Sequence, residues 1–479
     1  MKSRILLMGV SALMASAAYA QIGKPFIHDP STIVECDGKY YTFGTGGGGL
    51  ISEDGWVWNG GAVRPGGGAA PDAIKIGDRY LIAYSKTGGG LGGGHAGTVV
   101  TMWNKTLDPN SPDFKFTDEI EVASSLVDED CDAIDAGLLM GPDGRLWLSY
   151  GTYFGFIRLV ELDPKTGARV EGNEAINIAI DCEASTMMYR NGWYYLLGTH
   201  GTCCDGLNST YNIVVGRSRN VTGPYLDNVG RDMLQGGGKM VIAAGGRVVG
   251  PGHFGRYIVE DGIEKMSCHF EADFDMSGRS TLGIRPLLWV NDWPVAGDLM
   301  KDGTYEIESQ RHGYALEAAV DFIRMEGMRR GWWGANNDEP LTSIADQKLE
   351  DVIGGWPTGE IGVRIGDYMF RPHQKWTITA VPEKGGYLGG PYFKIVIAGT
   401  NKALAATADK EVTIVPEFTG ADEQLWQIDQ LTDGTYRIMP KKVPGCDKRL
   451  ALVAIGDSTP TLEEFDSKSD NSKWLFKAH

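Results

Sequence analysis

Between Ile27 and Gly46 the chain reads IHDPSTIVECDGKYYTFGTG. A polar stretch holding Asp29 gives way to an alternating apolar run, a turn pair at Asp37-Gly38, and then Tyr40-Tyr41. The same succession returns further on. Asp72 opens DAIKIGDRYLIAYS, Asp135 opens DAGLLMGPDGRLWLSYGTY, and Glu183 opens EASTMMYRNGWYYLLGTHG. Near residue 250, GPGHFGRYIVEDGIEKMSCHF carries His253 where the other units carry an acid. Five units thus begin near 29, 72, 135, 183 and 253, at steps of 43, 63, 48 and 70 residues. Period-two alternation across D-G, N-G or G-D pairs predicts a hairpin in each, and no long helical period competes with it. Repeats of this length, each made of short strands, fit the blades of a β-propeller better than a sandwich. Five units predict five blades. The innermost strand of each blade would line the channel, so the acids at the strand starts would converge on one pocket at its mouth.

Beyond VNDWPVAGD the pattern changes. QKW at Gln374–Trp376, QLW at Gln424–Trp426 and SKW at Ser472–Trp474 recur at spacings of 50 and 48, each after a pair of strand-like runs. Three pseudo-repeats with a Q-x-W mark resemble a ricin-type β-trefoil, in which the Trp packs in the core and the Gln supports it. The first repeat carries an insertion, about Asp321 to Gly359, and the third has lost its Gln. The expected class is all-β. Residues 1–20 form a leader, 21–298 a five-bladed propeller and 299–479 a β-trefoil-like domain. The trefoil resemblance implies carbohydrate binding; a purely structural appendage is the alternative.

Composition narrows the partners. The 479-residue chain has a formal net charge of −17 and no run of five basic residues, which speaks against nucleic acid, since phosphate binding needs clustered Lys and Arg. Lys2 and Arg4, an apolar run to Ala18 and the small-residue site Ala18-Tyr19-Ala20 form an export leader cleaved after Ala20. Nothing later is apolar for long enough to cross a bilayer, so a secreted or periplasmic protein with no membrane partner is expected. Seven cysteines are too few for a disulfide scaffold at this size, and their number is odd. Adjacent Cys203 and Cys204 would either form a vicinal disulfide or remain two buried thiols.

Several of these segments together resemble glycoside hydrolase family 43, and within it the arabinanases. HDPSTIV is similar to the family's general-base motif. DAIDAGLL is similar to its middle-aspartate motif, with Ala136 where proline is usual. CEASTMMYRNGWYYL is similar to its general-acid motif, with Ser185 where proline is usual. YGTYFGFIRLVELDPKTG, CCDGLNSTYNIVVGRSRNVTGPY, GPGH and LGIRPLLW complete a resemblance covering about residues 26 to 295. It implies Asp29 as general base, Glu183 as general acid, and Asp135 as the group that holds Glu183 and raises its pKa. Asp72, Thr152, Cys204 and His253 are the candidate substrate contacts. Asp72 has a second reading as a turn cap, and His253 a second reading as a structural residue. The resemblance also implies a calcium ion near His253, bound mostly through water because calcium prefers oxygen. The glycine-rich stretches GTGGGGLISEDGWVWNGGAVRPGGGAAPD and SKTGGGLGGGHAG depart from the family pattern and fall in loops expected at the channel mouth.

The expected function is hydrolysis of α-L-arabinofuranosyl linkages in arabinan, arabino-oligosaccharide or the side chains of plant cell-wall polysaccharide, by inversion. A β-xylosidase or galactan-acting enzyme on the same fold is the nearest alternative. A non-catalytic sugar-binding protein is a third, against which the retention of three acids speaks.

Overall fold

The computed structural model describes residues 22–87, 96–126, 129–311, 313–320, 324–325, 352–353, 356–368, 371–455 and 459–478. The expected leader, the centre of the second glycine-rich loop and most of the insertion in the first trefoil repeat lie outside these residues. Among them there is no α-helix, only strands and three-residue 3-10 turns.

Five antiparallel sheets follow one another along the chain. In the first, Val34–Cys36, Lys39–Phe43, Gly48–Ser52 and Val57–Val63 run from the inner to the outer edge. The inner strands of the next four sheets are Ala69–Ile76, Gly137–Met140, Glu183–Arg190 and Val248–Glu260, and each sheet adds three more strands in chain order. Turn chemistry sets the registers. Asp37-Gly38 and Asn191-Gly192 both take positive φ, the backbone that matches the twist of a two-residue hairpin.

A meander of this kind cannot bury both faces of a blade by itself, so the core lies between blades. One apolar wedge joins Val34, Tyr41 and Phe43 of the first blade to Tyr80, Ile82 and Met102 of the second. Further wedges join the second blade to the third, the third to the fourth and the fourth to the fifth. Ile33, Leu50 and Trp58 pack on Leu282 and Ile284, which brings the fifth blade against the first. The N-terminal segment secures that junction. Ile22–Gly23 pairs in parallel with Val57–Trp58, and the Leu282 N–H donates to the Pro25 carbonyl at 2.8 Å. With the apolar mass placed between blades, the axis is left to the first residues of the inner strands.

The last strand of the fifth blade ends at Ala296, and the next strand, Gly303–Ser309, belongs to a different sheet. Gly303–Ser309, Lys375–Ala380, Phe393–Ile397, Trp426–Gln430, Tyr436–Pro440 and Trp474–Ala478 pair around a closed ring. Three hairpins cap it, and the arrangement is a β-trefoil. Trp376, Trp426 and Trp474 are fully buried. Their indole N–H groups donate to the carbonyls of Leu316, Leu404 and Leu452, each at 2.9 Å. Gln374 and Gln424 bond the loops beside them. The insertion falls in the hairpin between Tyr314–Ala318 and Ile361–Asp367.

Candidate active site

Each inner segment carries a non-glycine residue in the left-handed region: Asp29 (φ 49°) before Val34–Cys36, Ala70 (45°), Asp135 (58°) and Ala184 (47°) at or just before their strand starts, and His253 (59°) within Val248–Glu260. Such conformations cost roughly 1–3 kcal/mol and persist where surrounding structure over-determines them. Here they redirect the chain where Asp29, Asp135, Glu183 and His253 meet at the axis. Register shifts at Ala69/Asp72, Glu183/Thr186 and Gly252/Gly255 mark the same positions.

Asp29 Oδ2 accepts from Thr45 Oγ1 at 2.6 Å and lies 2.9 Å from His28 Nδ1. Its Oδ1 is 3.7 Å from His253 Nδ1 and 3.9 Å from His269 Nδ1. Burial works against the charge of this carboxylate. The imidazoles of His253 and His28 beside it, with the His28 charge, outweigh it and hold the pKa well below the usual range. Thr45 comes from the first glycine-rich loop. That loop lies close against the second blade: Gly68 sits at φ 73°, and a Cβ there would come 2.1 Å from the Ser85 carbonyl.

Glu183 is buried and accepts from the Tyr211 hydroxyl. Its pKa is pushed up, first by burial and then by the charges of Asp135 and Asp29. Asp135, also buried, accepts the Ala184 N–H on Oδ2 at 3.1 Å, and its own N–H donates to Ser85 Oγ at 3.1 Å. Burial and Asp29 raise Asp135 in turn. One carboxyl of the pocket is therefore poised as an anion and another retains a proton, the division that general acid–base chemistry requires.

The remaining expected contacts fall out differently. Asp72 is buried and both its oxygens are engaged by backbone. Its Oδ1 accepts the Thr32 N–H at 2.9 Å and its Oδ2 the Leu138 N–H at 2.7 Å, so it ties together the inner segments of three blades. Thr152 is buried, and its Oγ1 accepts the Phe154 N–H at 3.3 Å, which holds the turn after the second strand of the third blade. Cys204 is exposed and joined to Cys203 in a disulfide. His253 is buried on the axis, its N–H donating to Thr199 Oγ1 at 2.9 Å. His253 Nδ1 has no hydrogen-bond partner among the described residues. Oxygen ligands do not surround it there, so only a site completed by water suits calcium.

His28, Thr45, Tyr211 and Glu271 were not singled out by sequence. The signal for Glu271 was available, because His269 and Glu271 stand two apart on the strand Ile263–Asp273 and so share a face. His28 bonds Glu271 Oε1 through Nε2 at 3.1 Å and stacks on His269 with centroids 4.4 Å apart. Burial opposes the charge on both partners. Asp29 and Glu271 nevertheless raise His28 to about 10, and His269 and His28 hold Glu271 at about 2.

Comparison with known proteins agrees with this geometry. The sequence profile of "Glycosyl hydrolases family 43" matches residues 42–294, and that of "Ricin-type beta-trefoil lectin domain-like" proteins matches residues 372–448. The extracellular endo-alpha-(1->5)-L-arabinanase 1 of Bacillus subtilis (strain 168) is 31% identical over 312 residues, 59% of this chain and 92% of that protein. The extracellular exo-alpha-(1->5)-L-arabinofuranosidase ArbA of Cellvibrio japonicus (strain Ueda107) is 35% identical over 216 residues, 42% of this chain and 61% of that protein, so less than two thirds of its length is spanned. The structure of Cellvibrio cellulosa alpha-L-arabinanase complexed with arabinohexaose superposes with a TM-score of 0.52 at 29% identity, covering 57% of this chain and 95% of that one. With its five blades, its axial acids and a profile match over more than half its length, the chain belongs to glycosyl hydrolases family 43.

Proposed function

We propose that the protein hydrolyses α-L-arabinofuranosyl linkages in arabinan or in the arabinose side chains of plant polysaccharides. The observation that carries this reading is the gathering of three carboxyls from three blades: Asp29 bonded by Thr45 and beside His28, Glu183 buried under the Tyr211 hydroxyl, and Asp135 on the Ala184 amide, an arrangement that favours the anion at Asp29 and the proton at Glu183. In the proposed reaction Glu183 gives its proton to the departing glycosidic oxygen. Asp29 takes a proton from a water that attacks the anomeric carbon from the opposite face. Asp135 keeps Glu183 protonated through its charge and seats it through the Ala184 amide. The sugar is supported by relatives that act on α-1,5-linked arabinan; they divide between exo and endo action, so the reading extends to the linkage and not to the chain end.

Export supports the same reading: the relatives are named extracellular, and the leader sequence with its site after Ala20 would deliver the enzyme to the periplasm or the medium. No helix among the described residues is long and apolar enough to span a membrane. The trefoil supports contact with a polysaccharide. Calcium, if bound, would be held by His253 Nδ1 and water, and it would supply positive charge facing the acids.

Inversion needs room for a water, and carboxyls about 6.5–9.5 Å apart provide it. Proton NMR during hydrolysis of an α-L-arabinofuranoside tests the mechanism. The first-formed arabinose is expected as the β anomer, with no transfer to methanol. An initial α anomer would make one acid a nucleophile and overturn the mechanism. Release of xylose or galactose in place of arabinose from a glycoside panel would overturn the substrate.

A further inference from the structure

His28, Glu271 and Cys204 have no part in the chemistry above, yet they form an unbroken chain that ends on Asp29. His28 Nδ1 lies 2.9 Å from Asp29 Oδ2, and His28 Nε2 lies 3.1 Å from Glu271 Oε1. The same Glu271 oxygen accepts the Cys204 N–H at 3.1 Å. His269, stacked on His28, accepts the Asp29 N–H on Nδ1 at 3.1 Å. Both the carboxylate and the backbone of Asp29 are thereby held from one side.

We infer that Glu271, seated by the backbone amide of the Cys203–Cys204 disulfide, is a positioning residue that acts on Asp29 through His28. This rests on the reading of Asp29 as the base. Thr45 and His28 both bond Oδ2 of Asp29, which leaves Oδ1, 3.7 Å from His253 Nδ1 and 3.9 Å from His269 Nδ1, as the oxygen that meets the attacking water. The direction of Oδ1 is then set by His28, and the direction of His28 by the acceptor at its far nitrogen. Glu271 Oε1 is that acceptor.

The disulfide enters through the backbone. Linking neighbouring cysteines closes a small ring that contains their peptide bond. It holds Cys204 at φ 61° and so keeps its N–H aimed at Glu271. The sulfurs lie near His28 and Glu271 in a cluster of the size that holds a metal. Joined as a disulfide they are not thiolates, which are the metal-binding form, so the arrangement serves geometry. The other five cysteines are free thiols, which makes this pair the one target of a reductant. A dithiol attacks one sulfur, forms a mixed disulfide and closes on itself. Cys203 and Cys204 are left as two thiols and the reagent as a cyclic disulfide, with two electrons transferred.

Steady-state kinetics of the full-length enzyme, with and without dithiothreitol, test the inference. Glu271→Ala is expected to lower kcat about ten- to a hundredfold, the scale on which small misplacements of reacting groups act, with KM changed less than about twofold. Glu271→Gln retains a carbonyl oxygen at the same place and is expected to recover most of the loss. Dithiothreitol is expected to lower kcat of the wild type and to leave Glu271→Ala unchanged, because both act through one contact. A wild-type kcat for Glu271→Ala, a defect confined to KM, a Gln variant as poor as the Ala variant, or an equal dithiothreitol effect in both backgrounds would each overturn the inference. If Glu271→Ala does not fold, the wild type with dithiothreitol and the double variant Cys203→Ser/Cys204→Ser carry the test, and undiminished kcat in both overturns it. Asp29→Ala separates the two levels. If it retains turnover, the base reading itself fails; if it is inactive while Glu271→Ala turns over at the wild-type rate, the positioning alone fails.

Discussion

Glu183 and Asp135 occupy a site where a single proton decides the chemistry. Glu183→Gln keeps an acceptor for the Tyr211 hydroxyl, so the fold is expected to survive. Turnover of oligosaccharides, whose leaving group needs the proton, is expected to fall about 10²–10⁴-fold. A nitrophenyl glycoside should lose much less, since its leaving group departs with little protonation. Comparing kcat/KM on the two substrates checks this, and equal retention on both would remove Glu183 as the acid. Asp135→Asn retains the acceptor for the Ala184 N–H but removes a charge. A general acid works while protonated, so activity is lost as pH rises through its pKa. Burial still raises Glu183 in the variant, but the Asp135 contribution is gone. The alkaline limb of the pH–rate profile is therefore expected to move to lower pH. That limb belongs to the interacting pair, so the shift is read on the whole profile. The three acids could be picked out because each opens a repeated unit. His28, Tyr211 and Thr45 could not, because no repeat marks them and their meaning lies in what they touch.

Among the strands, Asp72 shows how an acid in the repeated pattern can serve the scaffold. Its partners Thr32 and Leu138 lie 40 and 66 residues away, and it adds a polar tie to blades that also share apolar wedges. Asp72→Ala strands two buried backbone N–H groups, at about 1–3 kcal/mol each. The expected result is a lowered urea midpoint with kcat at saturating substrate little changed in the folded fraction; Asp72→Asn, which keeps one acceptor, should cost less. A large fall in kcat without loss of stability would return Asp72 to the substrate. Alternation and turn pairs were enough to locate the hairpins because a half-buried strand and a two-residue turn are written in adjacent residues. The left-handed residues of the inner segments were not legible. Aspartate, alanine and histidine at those positions carry no backbone signature comparable to glycine.

The two domains meet through buried charge. Lys265 of the fifth blade donates to the Leu388 carbonyl at 2.5 Å and to Asp429 Oδ1 at 2.9 Å. Arg437 bonds the other Asp429 oxygen at 2.9 Å and faces Glu260 at 3.4 Å. Removing one partner of such a set leaves a buried charge uncompensated, at about 3–5 kcal/mol. A chain ended near Asp298 loses these contacts and leaves Lys265 to solvent, and it is expected to be less stable than the whole protein, although the five blades close without the trefoil. Acid should loosen the same contact. Burial opposes the Asp429 charge, but Lys265 and Arg437 outweigh it and bring the group to about 2. A carboxylate lowered in this way contributes stability above its unfolded value of about 3.9, and the contribution is lost as pH falls through about 2. Calorimetry is expected to show one coupled transition near pH 5 and separate propeller and trefoil transitions as pH approaches 2. Independent melting already at pH 5 would mean that the interface contributes little.

Five strand-turn-strand units, three Q-x-W marks and the positions of Asp29, Asp135 and Glu183 follow from residues close together in the chain. They rest on local physics: the period of two in a strand, the backbone a turn demands, and the composition of a buried face. Which carboxyl retains its proton, which oxygen of Asp29 stays open, the clamp made by Asp72, the disulfide at Cys203–Cys204 and the charge set at Lys265 depend on groups brought together from distant parts of the chain. Burial and neighbouring charge set a pKa, and both are properties of assembled blades rather than of any segment, so they arise only when the ring closes.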